Sequence, residues 1–175
     1  TAGLVLRLSV SDVGSMVELN SKFGVSPGNA IELIEKADKL GLLVEGLSFH
    51  VGSQCTNFDN YVEALNTSSQ IFREANAKGG SFNKGKKLNV IDIGGGFPIP
   101  YDEYVPKFEN LAKILNSEIE RLFPEKEIEI IAKILGKNFD ELETKIGKSE
   151  ESKVLISENI NQETLLVLET RLNDF

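Results

Sequence analysis

Hydrophobic positions along most of the chain switch between a period of two and a period near 3.6, and the switches fall at turn residues. Leu4 to Val10 has strand spacing: Leu4, Leu6 and Leu8 share one face, Val5, Arg7 and Ser9 the other. Ser11 to Ser15 is a loop, and Ser21 to Val25 reads as a very short strand. Ser26 and Pro27 suit the N-cap and first position of a helix with Ile31, Ile34, Ala37 and Leu40 on its core face, stopped by Gly41. Leu43 to Val51 returns to strand spacing. Asn57 to Lys78 is a second helix, with Tyr61, Ala64, Leu65, Ser68, Ile71, Phe72 and Ala75 as its stripe, ended by Gly79-Gly80. Ser81 to Lys87 is a polar, basic surface loop, and Leu88 to Ile93 a strand. Phe108, Leu111, Leu115, Ile119 and Leu122 mark a third helix closed by Pro124, and Glu127 to Ala132 a further strand. Beyond it the pattern predicts a short helix at Asn138 to Ile146, a strand at Val154 to Ser157 and a helix at Asn161 to Phe175, a cap or peripheral element without a chemical motif.

Strand and helix alternating in this way is the rhythm of a parallel α/β fold. An open doubly wound sheet and a (β/α)8 barrel both satisfy it. The strand at Leu43 to Val51 tips the reading toward the barrel. Glu45, Leu47, Phe49 and Val51 form one face, while Val44, Gly46, Ser48 and His50 form a small, polar face suited to a barrel interior beside a ligand. A whole barrel takes about 200 to 250 residues, so the strands visible here are part of one. In either architecture ligands sit at the C-terminal ends of the strands, where His50, Gly52, Ser53 and Gly94-Gly95-Gly96 fall.

The run Val90-Ile91-Asp92-Ile93-Gly94-Gly95-Gly96-Phe97-Pro98 ends an apolar strand in a carboxylate and three glycines. Ordering glycines is entropically unfavourable. What they provide is a backbone a ligand can approach, with exposed amides that suit a phosphate. A sharp turn after a buried strand would also account for them. His50, the sole histidine, could be a hydrogen-bonded structural residue or part of the same site. Arg7 in a buried strand calls for an anionic partner or a water-filled interior.

Composition narrows the classes. The chain has 175 residues, about one domain's worth. A net charge of −8 and no basic stripe argue against nucleic acid. No apolar run approaches the roughly 18 residues of a membrane span. The single cysteine, Cys55, excludes an internal disulfide and fits a reducing cytoplasm. A strand begins almost at Thr1, as expected for a piece of a longer protein.

Ser48-Phe49-His50-Val51-Gly52-Ser53-Gln54 and Asp92 to Pro98, one crossover apart, with Ser21-Lys22-Phe23-Gly24 upstream, resemble the pyridoxal-phosphate-dependent basic amino-acid decarboxylases of the alanine-racemase-like barrel. The wording is nearest to ornithine decarboxylase, and the resemblance runs from about Leu4 to Ala132. It implies a partial (β/α)8 barrel over 1–132 that binds pyridoxal 5'-phosphate, and a divergent helical tail over 133–175. By the same resemblance His50 stacks on the cofactor ring, Ser53 bonds its phosphate, and Gly94, Gly95 and Gly96 hold that phosphate with Gly96 the most direct contact. Arg7 and Lys22 match positions lining the barrel, and Asp92 matches a structural acid. The parent reaction would be decarboxylation of an amino-acid substrate to a diamine by a homodimer with shared sites.

The chain departs from the family at two places. The family's Schiff-base lysine belongs to an earlier strand that is not among these residues. After Ile130-Ile131-Ala132 the family has Glu-Pro-Gly-Arg, whereas here Lys133-Ile134-Leu135-Gly136 follows. A lysine in place of that glutamate would repel a protonated ring nitrogen. Cys55 does not match the family's catalytic cysteine. The expectations are therefore an incomplete decarboxylase or a non-catalytic relative that binds a partner protein, with another phosphate-binding barrel enzyme, such as an isomerase, as a further option.

Overall fold

The computed structural model describes residues 3–17, 19, 22–99 and 105–124, and the backbone of strands at 129–133, 154–158 and 166–168. The expected helix at 138–146, Ser21 and most of the expected C-terminal helix lie outside the described residues. The elements, in order, are β1 (Leu4–Arg7), α1 (Ala30–Lys39), β2 (Val44–Ser48), α2 (Asp59–Lys78), β3 (Val90–Asp92), α3 (Phe108–Leu122), β4 (Glu129–Lys133), β5 (Val154–Glu158) and β6 (Leu166–Leu168). They form one sheet in sequence order. Each pair from β1 to β5 is parallel, and β6 runs antiparallel to β5.

Parallel pairing needs a crossover, and α1, α2 and α3 supply three of them. The face of the sheet bearing Leu47 and Ile91 is buried in one core with Ile34, Leu65, Phe72, Leu111 and Leu115 of those helices. Phe72 meets Phe123 edge to face at 5.5 Å, and Phe97 bridges Tyr61 and Phe108. The opposite face is the small, polar one. Arg7 pairs with Ser48, and Ser48 with Asp92, so these three stand in one row across the sheet.

Several expectations change at the element ends. Ser26 makes no side-chain cap; Pro27–Asn29 is a 3-10 turn, and α1 begins only at Ala30. Leu40 is 76% exposed, because the helix ends at Lys39 and leaves it outside the core stripe. Of the short strand expected at 21–25, only a single bridge from Val25 to Leu8 forms. The basic loop at 81–87 is not wholly superficial: Asn83 is buried. Its side-chain oxygen accepts the Val44 N–H at 3.0 Å, and its amide donates to the carbonyls of Val44 and Lys86. One asparagine, held at φ 50, thereby completes the hydrogen bonding at the start of β2.

The tail expected to be helical contributes strands where it is described. Val154 to Ser157 was expected as a strand and is one, and it pairs with β4. Leu166–Leu168 is a strand, not helix, and pairs with Glu158, Ser157 and Ile156. The run Leu165 to Leu168 is continuously apolar, a pattern that fits either period, and an available strand edge decides in favour of pairing.

The loops that follow β2 and β3 cross at backbone contact. Phe49 N–H donates to Asp92 C=O at 2.9 Å, and Cys55 N–H donates to Gly96 C=O at 2.8 Å. Gly96 has φ 83, and a Cβ placed there would sit 1.8 Å from the Gly52 carbonyl oxygen. Two substitutions test this packing by urea unfolding. Asn83→Ala should lower stability by about 3 kcal/mol, since it strips partners from buried backbone groups. Gly96→Ala combines a left-handed backbone with a backbone clash, and the expected loss is at least about 3 kcal/mol. A loss below about 1 kcal/mol in either case would contradict the packing described.

Candidate functional site

His50 lies two residues past the end of β2, and Gly94 two residues past the end of β3. Adjacent parallel strands end at one rim, so the two segments meet there. A Cβ built on Gly94 would be 3.2 Å from His50 Cα, and one on Gly96 would be 3.3 Å from His50 Cε1. The imidazole therefore borders the space that the glycines leave free of side chains.

The ring orientation is fixed from its own loop. Gly52, at φ 84, donates its N–H to His50 Nδ1 at 3.0 Å. Nδ1 is thus an acceptor, and the proton of the neutral ring resides on Nε2. A strap from Asp12 to Val17 packs on Gly52. Met16 N–H donates to Ser53 C=O, Ser53 N–H donates to Val17 C=O, and the buried Asp12 carboxylate accepts the Leu19 N–H. Asn60, at the start of α2, ties that strap down by donating to Val13 C=O at 2.9 Å and accepting from Ser11 Oγ at 3.1 Å.

The glycine loop is more specialised than three equivalent amides. Gly94 N–H does not face outward: it donates to Asp92 Oδ1 at 2.8 Å. A carboxylate two residues earlier thus holds this amide, which the resemblance expects to face a phosphate. The N–H groups of Gly95 and Gly96 have no hydrogen-bond partner among the described residues. The carbonyls on either side of this stretch are used, Gly95 by Tyr61 Oη at 3.2 Å and Gly96 by Cys55 N–H. An uncommitted amide on Gly96 beside the imidazole, where no side chain intervenes, suits a planar ligand carrying an anionic group.

The remaining expected residues are placed as follows. Ser53 is exposed beside the strap, at the same rim. Arg7, at the end of β1, sets its guanidinium 5.0 Å from the centre of the Phe23 ring. Among the described residues the Arg7 guanidinium thus rests on an aromatic face. Lys22 is exposed. Cys55 is buried, its Sγ engaged with Asn57 C=O and Asn60 Nδ2, and burial pushes its thiol up. Such a thiol is a poor nucleophile. Tyr61, fully buried, also has its phenol pushed up by burial. Sequence reasoning had seen Tyr61 only as part of a helical core stripe, because nothing in periodicity distinguishes a packed ring from a ring whose hydroxyl reaches a loop. Among the described residues no cluster of side chains could hold a metal ion, and no helix is long and apolar enough to cross a membrane.

Comparison with known proteins shows the family. The family described as "Pyridoxal-dependent decarboxylase, pyridoxal binding domain" matches residues 1–134. Antizyme inhibitor 2 of Xenopus laevis is 36% identical over 132 residues, which cover 75% of this chain and 27% of that protein. Ornithine decarboxylase of Mus musculus is 36% identical over 123 residues, 70% of this chain and 25% of the relative. Among solved structures, the arginine decarboxylase of Paramecium bursaria Chlorella virus is 32% identical with a TM-score of 0.62, over 74% of this chain and 32% of that one. The lysine/ornithine decarboxylase of Vibrio vulnificus, solved with putrescine, is 33% identical with a TM-score of 0.61, over 74% and 31% respectively. The chain thus spans only 27% and 25% of the two curated relatives. Sheet, rim and sequence agree: this chain belongs to the pyridoxal-dependent decarboxylases, and its sheet is part of the alanine-racemase-like (β/α)8 barrel of that family.

Proposed function

We propose that this chain forms the cofactor-phosphate side of a decarboxylase acting on a basic amino acid, of the ornithine type. The observation that carries the reading is the meeting of the His50 ring with Gly96 at one strand rim, where the Gly95 and Gly96 amides have no hydrogen-bond partner among the described residues. Pyridoxal 5'-phosphate, when bound, supplies the electron sink for loss of carbon dioxide. The chain's own residues bind and orient it. Gly95 and Gly96 donate backbone N–H groups to the phosphate, and the Ser53 hydroxyl adds a side-chain donor. His50 lays its ring, oriented by Gly52, against the flat face of the cofactor. Gly94 shapes the loop without donating to the ligand. Arg7, held by Phe23, sets the charge of the inner face. The substrate in this reading is a small amino acid, the assembly a homodimer and the compartment the cytoplasm, where a lone buried thiol stays reduced.

The same residues set a limit on activity. Lys133 closes β4 at the rim where the family carries a glutamate for the ring nitrogen. A lysine there disfavours protonation of that nitrogen and so weakens the electron sink. The chain by itself is therefore expected to bind pyridoxal phosphate but to turn over little or no amino acid. The lysine at 133, together with a relative named an antizyme inhibitor, also favours a second reading, a non-catalytic protein that works by binding a partner protein.

Thermal unfolding and absorbance titration separate the readings. Pyridoxal phosphate should raise the melting temperature and shift its own absorbance, and sugar phosphates should do neither. His50→Ala should weaken binding about tenfold, as expected for loss of ring stacking. Stabilisation by sugar phosphates instead would point to a phosphate-binding isomerase. Absence of cofactor binding, with stoichiometric capture of a protein partner, would favour the second reading. Clear diamine production by this chain alone would contradict the limit argued from Lys133.

A further inference from the structure

A loop of glycines has no side chains with which to fix its own peptide planes, yet a phosphate site needs its amides aimed before the ligand arrives. Two side chains from outside the loop perform this. The Asp92 carboxylate, at the end of β3, accepts Gly94 N–H at 2.8 Å. The Tyr61 hydroxyl, from the first turn of α2, donates to Gly95 C=O at 3.2 Å. In a trans peptide the C=O of one residue and the N–H of the next point in opposite directions, and the described residues include no cis peptide. Holding the Gly95 carbonyl toward α2 therefore turns Gly96 N–H away from α2. Binding Gly94 N–H back to Asp92 fixes the Ile93–Gly94 plane, so the Gly94–Gly95 plane that carries Gly95 N–H is held between two fixed neighbours. From these two contacts we infer that Tyr61 and Asp92 form a two-point clamp that presets the Gly95 and Gly96 amides for the cofactor phosphate.

Neither residue touches the ligand in this account; both are positioning residues, and the inference rests on the pyridoxal-phosphate reading above. The Tyr61 ring is itself immobilised. It is fully buried and stacked on Phe97, the residue after Gly96, with centroids 5.6 Å apart and planes within 5°. Its hydroxyl thus stands at a fixed height above the loop. Burial pushes the phenol well above its ordinary range, so it remains a proton donor throughout the physiological range. Asp92 acts as an acceptor, a role an asparagine oxygen can fill, so the clamp depends on geometry and not on the carboxylate's charge. A negative group beside a phosphate site is otherwise unfavourable.

The test compares pyridoxal 5'-phosphate with pyridoxal, which lacks the phosphate, by fluorescence titration of the wild-type chain and the variants Y61F, D92N and D92A. The clamp predicts that Y61F, which keeps the ring, lowers the preference for the phosphorylated form about fivefold while leaving pyridoxal affinity unchanged. D92A should do the same, and D92N should retain the wild-type preference. Amide hydrogen exchange without ligand gives a second readout: Gly94 should be protected in the wild type and D92N and lose protection in D92A. If D92A does not fold, Y61F and D92N still decide. An unchanged preference in Y61F, or a loss in D92N, would overturn the clamp. Failure of the wild-type chain to bind pyridoxal phosphate would overturn the cofactor reading and the clamp with it.

Discussion

The structure depends on the close approach of two main chains. Where the loop after β3 passes over the loop after β2, Gly96 meets the Gly52 carbonyl at a distance that admits no side chain. That approach puts the His50 ring beside the glycine loop, and it requires glycine on one side and a tightly turned backbone on the other. Each loop is then anchored elsewhere: the first by the strap from Asp12 to Val17, the second by Asp92, Tyr61 and Cys55. The site is built from backbone, and the side chains around it act mainly to hold that backbone.

This explains the division of labour across the sheet. One face is given to stability, with Leu47, Phe49, Ile91 and Ile93 fully buried under three helices. The other face carries Gly46, Ser48 and Asp92, which are small or polar. A parallel sheet normally needs both faces covered, and the barrel form resolves this by turning the second face inward. Strand ends at one rim then converge, so residues far apart in sequence, such as His50 and Gly96, share one neighbourhood. The helices contribute to the rim as well. The first turn of α2 carries both Asn60, which holds the strap, and Tyr61, which holds the glycine loop.

Much of this was legible in the sequence. Alternating periods gave the parallel α/β pattern, and the small polar face of Gly46, Ser48 and His50 pointed to a barrel interior. The two motifs with His50 and Gly94-Gly95-Gly96 identified the rim, because residue type and spacing there express backbone constraints directly. What was not legible depended mostly on contacts made across space. That Phe23 would be the partner of Arg7 and that Asn83 would be buried in a lysine-rich loop both depend on tertiary placement. The strand at Leu166–Leu168 was misread as helix because a short, wholly apolar run carries no period. The 3-10 turn before α1 was missed because Pro27 suits the first position of either kind of helix.

The account turns on whether the amides of Gly95 and Gly96 and the ring of His50 receive one and the same ligand. Two-dimensional NMR of the isotope-labelled chain during titration with pyridoxal 5'-phosphate addresses this directly. The account predicts that the largest shifts fall together on the Gly95, Gly96 and Ser53 amides and on the His50 ring, while Gly94 moves least of the three glycines. Shifts confined to another part of the chain, or glycine shifts without any response from His50, would contradict it.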